Sequence, residues 1–352
     1  VHLDGEVELD PQLPPDLRFD LILFDTTFIG ARWAPEFFAS LCRLVEPLRE
    51  RASVAAVLPQ DEFIHADVLC AFIEDLGIDW VFPVSPENEW DLIYPGIRKR
   101  GVHLHRVLTG YLERSTVARI EQLRAAAGAR TIDVGYRAKA VAPWLGVWGQ
   151  LKPGLATALT SAGAQGLSID VSTRADDTLI GDAWFEFLLR CRYTIGVEGG
   201  ASILDRDGSL KAATERFLES HPDAPFEEIE QACFPGRDGE IHLVALSPRH
   251  LEACATRTAQ LLIEGDYNGV LTPGVHYVPL RRDLANLDEA LEQVRSGVDP
   301  VEMTERAYED VVASERFIYE AFVEEVESRA LAGFPGQVTS PDSEQRLAQH
   351  GR

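Results

Sequence analysis

The sequence predicts an α/β protein made of two Rossmann-like halves with a long C-terminal helix. Three observations carry this. Short apolar runs alternate with helix-periodic segments along most of the chain, the pattern of parallel sheets whose crossovers are helices. Several of those runs end in polar or glycine-bearing loops, and in such sheets ligands sit beyond the carboxyl ends of the strands. At 352 residues the chain exceeds one ordinary core, so domains are expected at 1–114 and 115–300. A helical segment at 301–334 and a polar, disordered tail at 335–352 complete the division.

Taken in order, residues 1–17 show no periodicity, and Phe19–Phe24 (FDLILF) is the first buried strand, ending in Asp25-Thr26-Thr27. Over Pro35–Leu48, Phe37, Phe38, Leu41, Val45 and Leu48 share one helical stripe. Val54–Leu58 is the second strand, and the polar loop after it reaches His65. A helix over Ala66–Leu76 and a strand over Trp80–Val84 lead to the loop Ser85–Glu89, and Val107–Tyr111 closes the first half. The second half opens with a helix over Ser115–Ala127 and a strand over Thr131–Tyr136 that leads to Arg137 and Lys139. Pro143–Gly149 reads as a loop, and a helix follows from Lys152 to Gly163. Strands come next at Gly166–Asp170 and, after a helix around Phe185–Leu189, at Tyr193–Val197, which runs into the turn Glu198–Ser202. Gly208–Asp238 interrupts the alternation and reads as an insertion.

Ile241–Leu246 leads into the stretch that organises the rest. Ser247 supplies a capping hydroxyl and Pro248 a ring pre-set for the first turn of a helix over Arg249–Arg257. Ala259–Ile263 is a buried strand ending in the glycine-flanked loop Glu264–Gly269. A helix start bearing Arg249, with Glu252 one turn on and a tight loop nearby, suits a nucleotide diphosphate: cation and free N–H groups for phosphate, carboxylate for a sugar diol. An ordinary capped helix accounts for the same residues. Val278–Leu280, a helix over Leu287–Val294 and one amphipathic helix over Glu302–Leu331 finish the chain.

Charge and composition narrow the function. Fifty-seven acidic against 33 basic side chains give a formal charge of −24, which disfavours nucleic acid and anionic lipid and requires a local basic pocket for any anion. No apolar run reaches the roughly 18 residues that span a bilayer. Five scattered cysteines without a CxxC pair argue against a disulfide framework or zinc site and for the reducing cytoplasm. The chain begins at Val1 and its one methionine is Met303, so it is expected to be processed or part of a longer protein, which leaves a protein partner open. There is no Walker A loop, no GxGxxG in the first strand–helix unit and no GxSxG around Ser202, which disfavours P-loop kinases, common dehydrogenases and serine hydrolases. Asp61 and His65 lie one helical turn apart if their segment is helical and would then form a His–carboxylate general base; capping of the next helix is the alternative. His103 and His105 lack a third ligand, so no metal is expected.

The C-terminal half resembles the donor-binding domain of group 1 glycosyltransferases of the GT-B fold. The resemblance is carried by Ser247-Pro248-Arg249-His250-Leu251-Glu252-Ala253, by Glu264-Gly265-Asp266-Tyr267-Asn268-Gly269-Val270-Leu271, and by Thr272-Pro273-Gly274-Val275-His276-Tyr277-Val278-Pro279-Leu280 through Asp283 and Asn286. Tyr136-Arg137-Ala138, Gly181-Asp182-Ala183-Trp184 and Glu198-Gly199-Gly200-Ala201-Ser202 are similar to the same bacterial subgroup. What the resemblance implies is retaining transfer of a sugar from a nucleotide-diphosphate sugar to an acceptor, with no cofactor and no metal. Glu252 corresponds to the glutamate that holds the ribose, and Glu198 to the first acid of the family's glutamate pair. Arg137 and Lys152 correspond to the cations on the diphosphate, and Asp266 and Tyr267 line the sugar end. Across the family's usual gap from Glu252 stands Val244, so either the Gly208–Asp238 insertion separates the pair or the first acid is lost. The acceptor is expected at the first-half loops Asp25–Arg32, Asp61–His65 and Ser85–Glu89. A nucleotide-sugar epimerase of GT-B-like fold and a non-catalytic scaffold are the alternatives.

Overall fold

A computed structural model describes residues 14, 16–139, 141–161 and 166–332; the readings of residues 1–13 and of the tail 335–352 lie outside these. The first sheet is parallel, in the order β1 (Phe19–Phe24), β2 (Ala52–Val57), β3 (Trp80–Val81), β4 (His103–Leu104). After β1 comes α1 (Thr26–Gly30), whose start is capped by Asp25, the carboxylate accepting from the Phe28 amide at 2.8 Å. The capping role weighed for a carboxylate after a strand is therefore the one Asp25 takes. In α2 (Pro35–Arg49) the stripe Phe38, Leu41, Val45 is buried, as its spacing predicts. Phe24 and Phe38 pack with Phe72 of α3 (Ala66–Asp75), and Trp90 and Ile93 of α4 (Trp90–Ile93) complete that layer. The strand read over Trp80–Val84 is shorter because Pro83 has no N–H to give the ladder, although its carbonyl still accepts from Val107 at 2.9 Å.

The second half follows α5 (Arg114–Ala126). Its sheet is parallel, in the order β6 (Ile169–Ser172), β5 (Ile132–Arg137), β7 (Cys191–Gly196), β10 (Ala259–Ile263), β11 (Val278–Leu280). Strands such as CRYTIG and AQLLI are almost wholly buried, as strands covered on both faces are, and this made them legible as short, largely apolar runs despite Thr194 and Gln260 within them. Helix α6 (Gly146–Ser161) begins six residues earlier than read, because its cap comes from far away in sequence. The Val147 amide donates to Asp238 Oδ1 at 3.1 Å, and Gly146 takes φ +72° with no room for a side chain beside Ser202 and Asp238.

Between α7 (Asp182–Arg190) with β7 and the later strands, the chain makes an antiparallel ribbon, β8 (Gly199–Ala201) with β9 (Leu243–Ala245). The ribbon encloses α8 (Ser209–Ser220) and α9 (Phe226–Cys233). These do not stand apart. Ile203, Leu204, Ile229 and Phe234 share the first half's core with Ile64, Phe63 and Trp144, and the Asp205 amide donates to the Phe63 carbonyl at 2.7 Å. A Cβ on Gly200 would overlap the Leu243 carbonyl oxygen, whereas one on Gly199 would meet nothing closer than 3.8 Å. Gly200→Ala is therefore expected to destabilise by roughly 1–3 kcal/mol, and Gly199→Ala to leave the urea midpoint nearly unchanged. Equal midpoints for the two would mean that the ribbon does not pair this way.

After α10 (Pro248–Ala255) and α11 (Leu287–Arg295), the single long helix expected over Glu302–Leu331 is divided. It becomes α12 (Val301–Ala307), a π-helical turn at Tyr308–Ala313 and α13 (Tyr319–Ala330). Glu315 is left-handed at φ +54° and Ile318 is drawn into an extended bridge with Leu112, which ends the helical run. Past that bridge α13 lies on the first sheet: Val326 packs with Ala56, Leu58 and Phe82, and His105 Nε2 meets Glu325 at 2.8 Å.

Candidate functional site

The strand order of the second sheet reverses its direction of growth between β5 and β7, so the loops leaving their carboxyl ends diverge and open a crevice. A cavity of about 550 Å3 lies there, with Arg137, Lys152, Trp184, Arg249 and Glu252 in its wall, together with residues 177–181. Four residues expected at the donor site thus meet in one cavity.

Their states differ. Lys152 is buried on α6 and makes no ion pair among the described residues. Burial, then repulsion from Arg249, pushes its ammonium down to about 8, while Asp61 opposes the fall. Arg249, on the first turn of α10, donates to the Arg137 carbonyl at 2.6 Å and lies 5.9 Å from the Trp184 ring and 6.0 Å from that of Tyr136. Arg137 itself is compensated: Nη2 reaches Asp170 Oδ1 at 2.7 Å and the guanidinium lies 4.3 Å from the Phe187 ring. Of the two cations expected on a diphosphate, Lys152 keeps its charge uncommitted and Arg137 does not.

Glu252 sits one helical turn from Arg249 and accepts from the Trp184 indole N–H at 2.7 Å. Burial raises its carboxyl, against that hydrogen bond and the nearby Arg249. Below them His250 is buried between Gln260, at 2.9 Å, and the Val197 carbonyl, at 3.3 Å; burial lowers its imidazole to about 4, so it is a neutral strut that seats α10. Ser247 makes no capping bond with its hydroxyl, contrary to the reading of Ser247-Pro248.

Other expected site residues stand elsewhere. Glu198 is buried, its carboxyl raised by that burial, and its oxygens accept the amides of Tyr267 at 2.7 Å and Asp266 at 3.2 Å. It anchors the loop after β10 and does not line the cavity. Tyr267, expected at the sugar end, is 0% exposed and donates its hydroxyl to the Ile263 carbonyl at 2.7 Å. Its left-handed backbone, φ +44°, turns the ring into the core among His250 and Tyr277. Asp266 faces the gap between the halves and pairs with Arg106 at 3.0 Å. Arg106 also donates to the carbonyls of Val244 and Val84, tying β9 to the first sheet.

Asp61 and His65 do not form a pair. The segment between them is a turn, and His65, at φ +50°, precedes α3 instead of lying within it. Its ring packs over Gly208, with Asp205 the carboxylate that acts most on it, and burial lowers its imidazole. Asp61, also left-handed at φ +53°, has its carboxyl raised by burial and opposed by Arg32 and Lys152. Its carboxylate acts through space on Lys152, the cavity's unpaired cation. Trp184 lay within a segment similar to the family and Arg32 within an expected acceptor loop, but sequence reasoning gave no role to the Trp184 indole, to Arg32 or to Arg106 individually, because each acts on residues remote in sequence.

Among the described residues no group of three or more His, Cys, Asp or Glu side chains is placed to hold a metal. None of their helices is long and apolar enough to cross a membrane. No protein-family model matches the chain, and no curated protein matches it. Among solved structures it is similar to Anabaena Alr3699/HepE in complex with UDP-glucose, at 12% identity and TM-score 0.42 over 88% of this chain and 78% of that one. It is similar to the pneumococcal O-GlcNAc transferase GtfA with UDP and GlcNAc, at 10% and 0.40, over 90% of this chain and 57% of that one. It is also similar to an alpha-glucosyltransferase with UDP-glucose and DNA containing an abasic site, at 9% and 0.45, over 88% and 79%. Likenesses this distant assign no residue and no substrate.

Proposed function

We propose that the chain is a cytoplasmic glycosyltransferase that moves a sugar from a nucleotide-diphosphate donor to an acceptor hydroxyl, with retention and without a metal. One observation carries the reading: a buried, unpaired ammonium, Lys152, stands beside Arg249 in a cavity that also holds an oriented carboxylate, Glu252, one helical turn from Arg249. Two neighbouring cations in so acidic a protein suit an anion that brings its own charge, and a diphosphate brings two or more. Glu252, held by Trp184, is placed for the ribose hydroxyls, and the loop 177–181 for the base.

In the proposed reaction the anomeric carbon–oxygen bond to the diphosphate breaks and one to the acceptor oxygen forms. Lys152 and Arg249 take up the charge that builds on the leaving phosphate, as preorganised cations do in a water-poor site. Asp61 receives the acceptor's proton. Retention is the outcome that the resemblance to group 1 glycosyltransferases implies, and the through-space action of Asp61 on Lys152 is compatible with it.

The test is a thermal-shift screen against UDP, GDP and dTDP with Arg249→Ala and Glu252→Ala alongside. One nucleotide at 100 times its dissociation constant should stabilise the wild type by about 2.7 kcal/mol, and neither variant should respond at that concentration. Stabilisation that survives in both variants would place the donor elsewhere.

A further inference from the structure

Arg32 is a large charged residue at 1% exposure, and it makes no ion pair among the described residues. Arginine is seldom fully buried without a carboxylate partner. Here its donors go to main chain: Nη1 to the Ile29 carbonyl at 3.1 Å, Nη2 to the carbonyls of Gln60 at 2.7 Å and Asp61 at 2.6 Å. Glu62 supplies countercharge through space, but its Oε1 is occupied by the amides of Val84 at 3.0 Å and Ser85 at 3.1 Å. The guanidinium is therefore committed to two consecutive carbonyls of the one turn in which Asp61 is left-handed, a conformation that costs a non-glycine residue roughly 1–2 kcal/mol. The same turn is tied to the other half. Gln60 Nε2 donates to the Thr109 carbonyl at 2.8 Å, and Thr109 Oγ1 donates to the carbonyl of Leu246, next to the start of α10, at 2.6 Å.

We propose that Arg32 is a positioning residue for transfer: its fork holds the Gln60–Asp61 turn in the conformation that keeps the Asp61 carboxylate close enough to act on the Lys152 ammonium. The inference rests on the transferase reading for its purpose but not for its geometry. A lysine in its place keeps the charge and loses the two-carbonyl grip.

The chain has only four lysines, Lys99, Lys139, Lys152 and Lys211, so 13C-lysine NMR of the full chain can follow the Lys152 titration directly. The groups acting on that ammonium are Arg249 and Asp61. Asp61→Asn should move the titration down from about 8 by roughly half a pH unit or more. Arg32→Gln and Arg32→Lys should move it the same way, because Asp61 swings aside. The sign is decisive: deleting a nearby positive charge with no change in Asp61 would raise the lysine's proton affinity, and a purely structural role would leave it fixed in the folded protein. A Lys152 titration that stays or rises in the folded Arg32 variants overturns the proposal, and if Arg32→Gln does not fold, Arg32→Lys decides alone. With a responding donor, kcat should fall while the donor KM holds. A downward titration without transfer from any donor would sink the transferase reading and leave the positioning intact.

Discussion

Replacing Lys152 by methionine is expected to abolish binding of nucleoside diphosphate while raising the thermal midpoint of the free protein. Both effects have one cause. In the folded chain the ammonium titrates at about 8 instead of 10.5, so carrying the charge at pH 7 costs about 3 kcal/mol relative to water. Methionine has a similar length, fills irregular apolar space and removes the repulsion with Arg249. The lost interaction with phosphate is larger: a unit charge pair at about 4 Å and an effective dielectric constant near 20 is worth about 4 kcal/mol, or more than two decades of affinity. Titration calorimetry with the nucleotide that stabilises the wild type, and scanning calorimetry without ligand, read the two effects. Unchanged affinity would remove the diphosphate from this cavity, and a lower midpoint would make Lys152 a structural residue.

The same ammonium gives binding and stability opposite responses to pH. Phosphate favours the charged lysine, so binding takes up a proton once the free protein has lost it, and affinity should decline as pH rises through about 8. Stability runs the other way. The folded pKa lies below the unfolded one, so between about 8 and 10.5 the unfolded chain holds the extra proton and this group stabilises the fold increasingly as pH rises.

What the sequence revealed follows from how far apart the determinants lie. The strands of the second half were legible because both of their faces are buried, which leaves largely apolar runs such as AQLLI, where the one polar residue, Gln260, is itself buried. Arg249 and Glu252 were legible as a pair because a helix places residues three apart on one face. Lys152 was readable as a cation but not as an unpaired one; its state depends on packing between residues far apart in the chain. The start of α6 could not be placed locally, since Asp238, 91 residues from Val147 in sequence, supplies its cap. Glu198 and Tyr267 were misplaced for a shared reason. The backbone at Tyr267 and Asn268 is left-handed, so the loop directs its amides to Glu198 and its aromatic ring into the core, and neither glycine spacing nor motif shows that. The excursion over Gly208–Asp238 reads as an insertion because it breaks the strand–helix rhythm, which says nothing of where it packs. It packs into the first half's core, where Phe234 and Ile229 meet residues more than a hundred positions away.

Asp61→Asn is expected to lower kcat for transfer by roughly 10²–10⁴-fold with little change in affinity for the nucleotide. Asparagine matches aspartate in shape and tolerates the left-handed backbone that Arg32 imposes, so the turn should survive. Burial already disfavours the Asp61 anion, so the neutral amide should not destabilise the protein; what it removes is the capacity to receive a proton. Two opposing changes act on nucleotide binding. Loss of the carboxylate's negative charge favours the incoming phosphate, while loss of its support lowers the proton affinity of Lys152. Below pH 7 the lysine stays largely charged in either case, so binding there should be unchanged or tighter. The pH profile separates a base from a bystander. A raised carboxyl gives the wild type an acid limb in kcat as Asp61 protonates, and in the asparagine variant that limb should disappear along with most of the rate. Wild-type turnover in the variant would show that the acceptor's proton leaves by another route, most simply to the departing diphosphate itself. In that case Arg32 and Asp61 would act on Lys152 alone, tuning the cation instead of taking part in the chemistry.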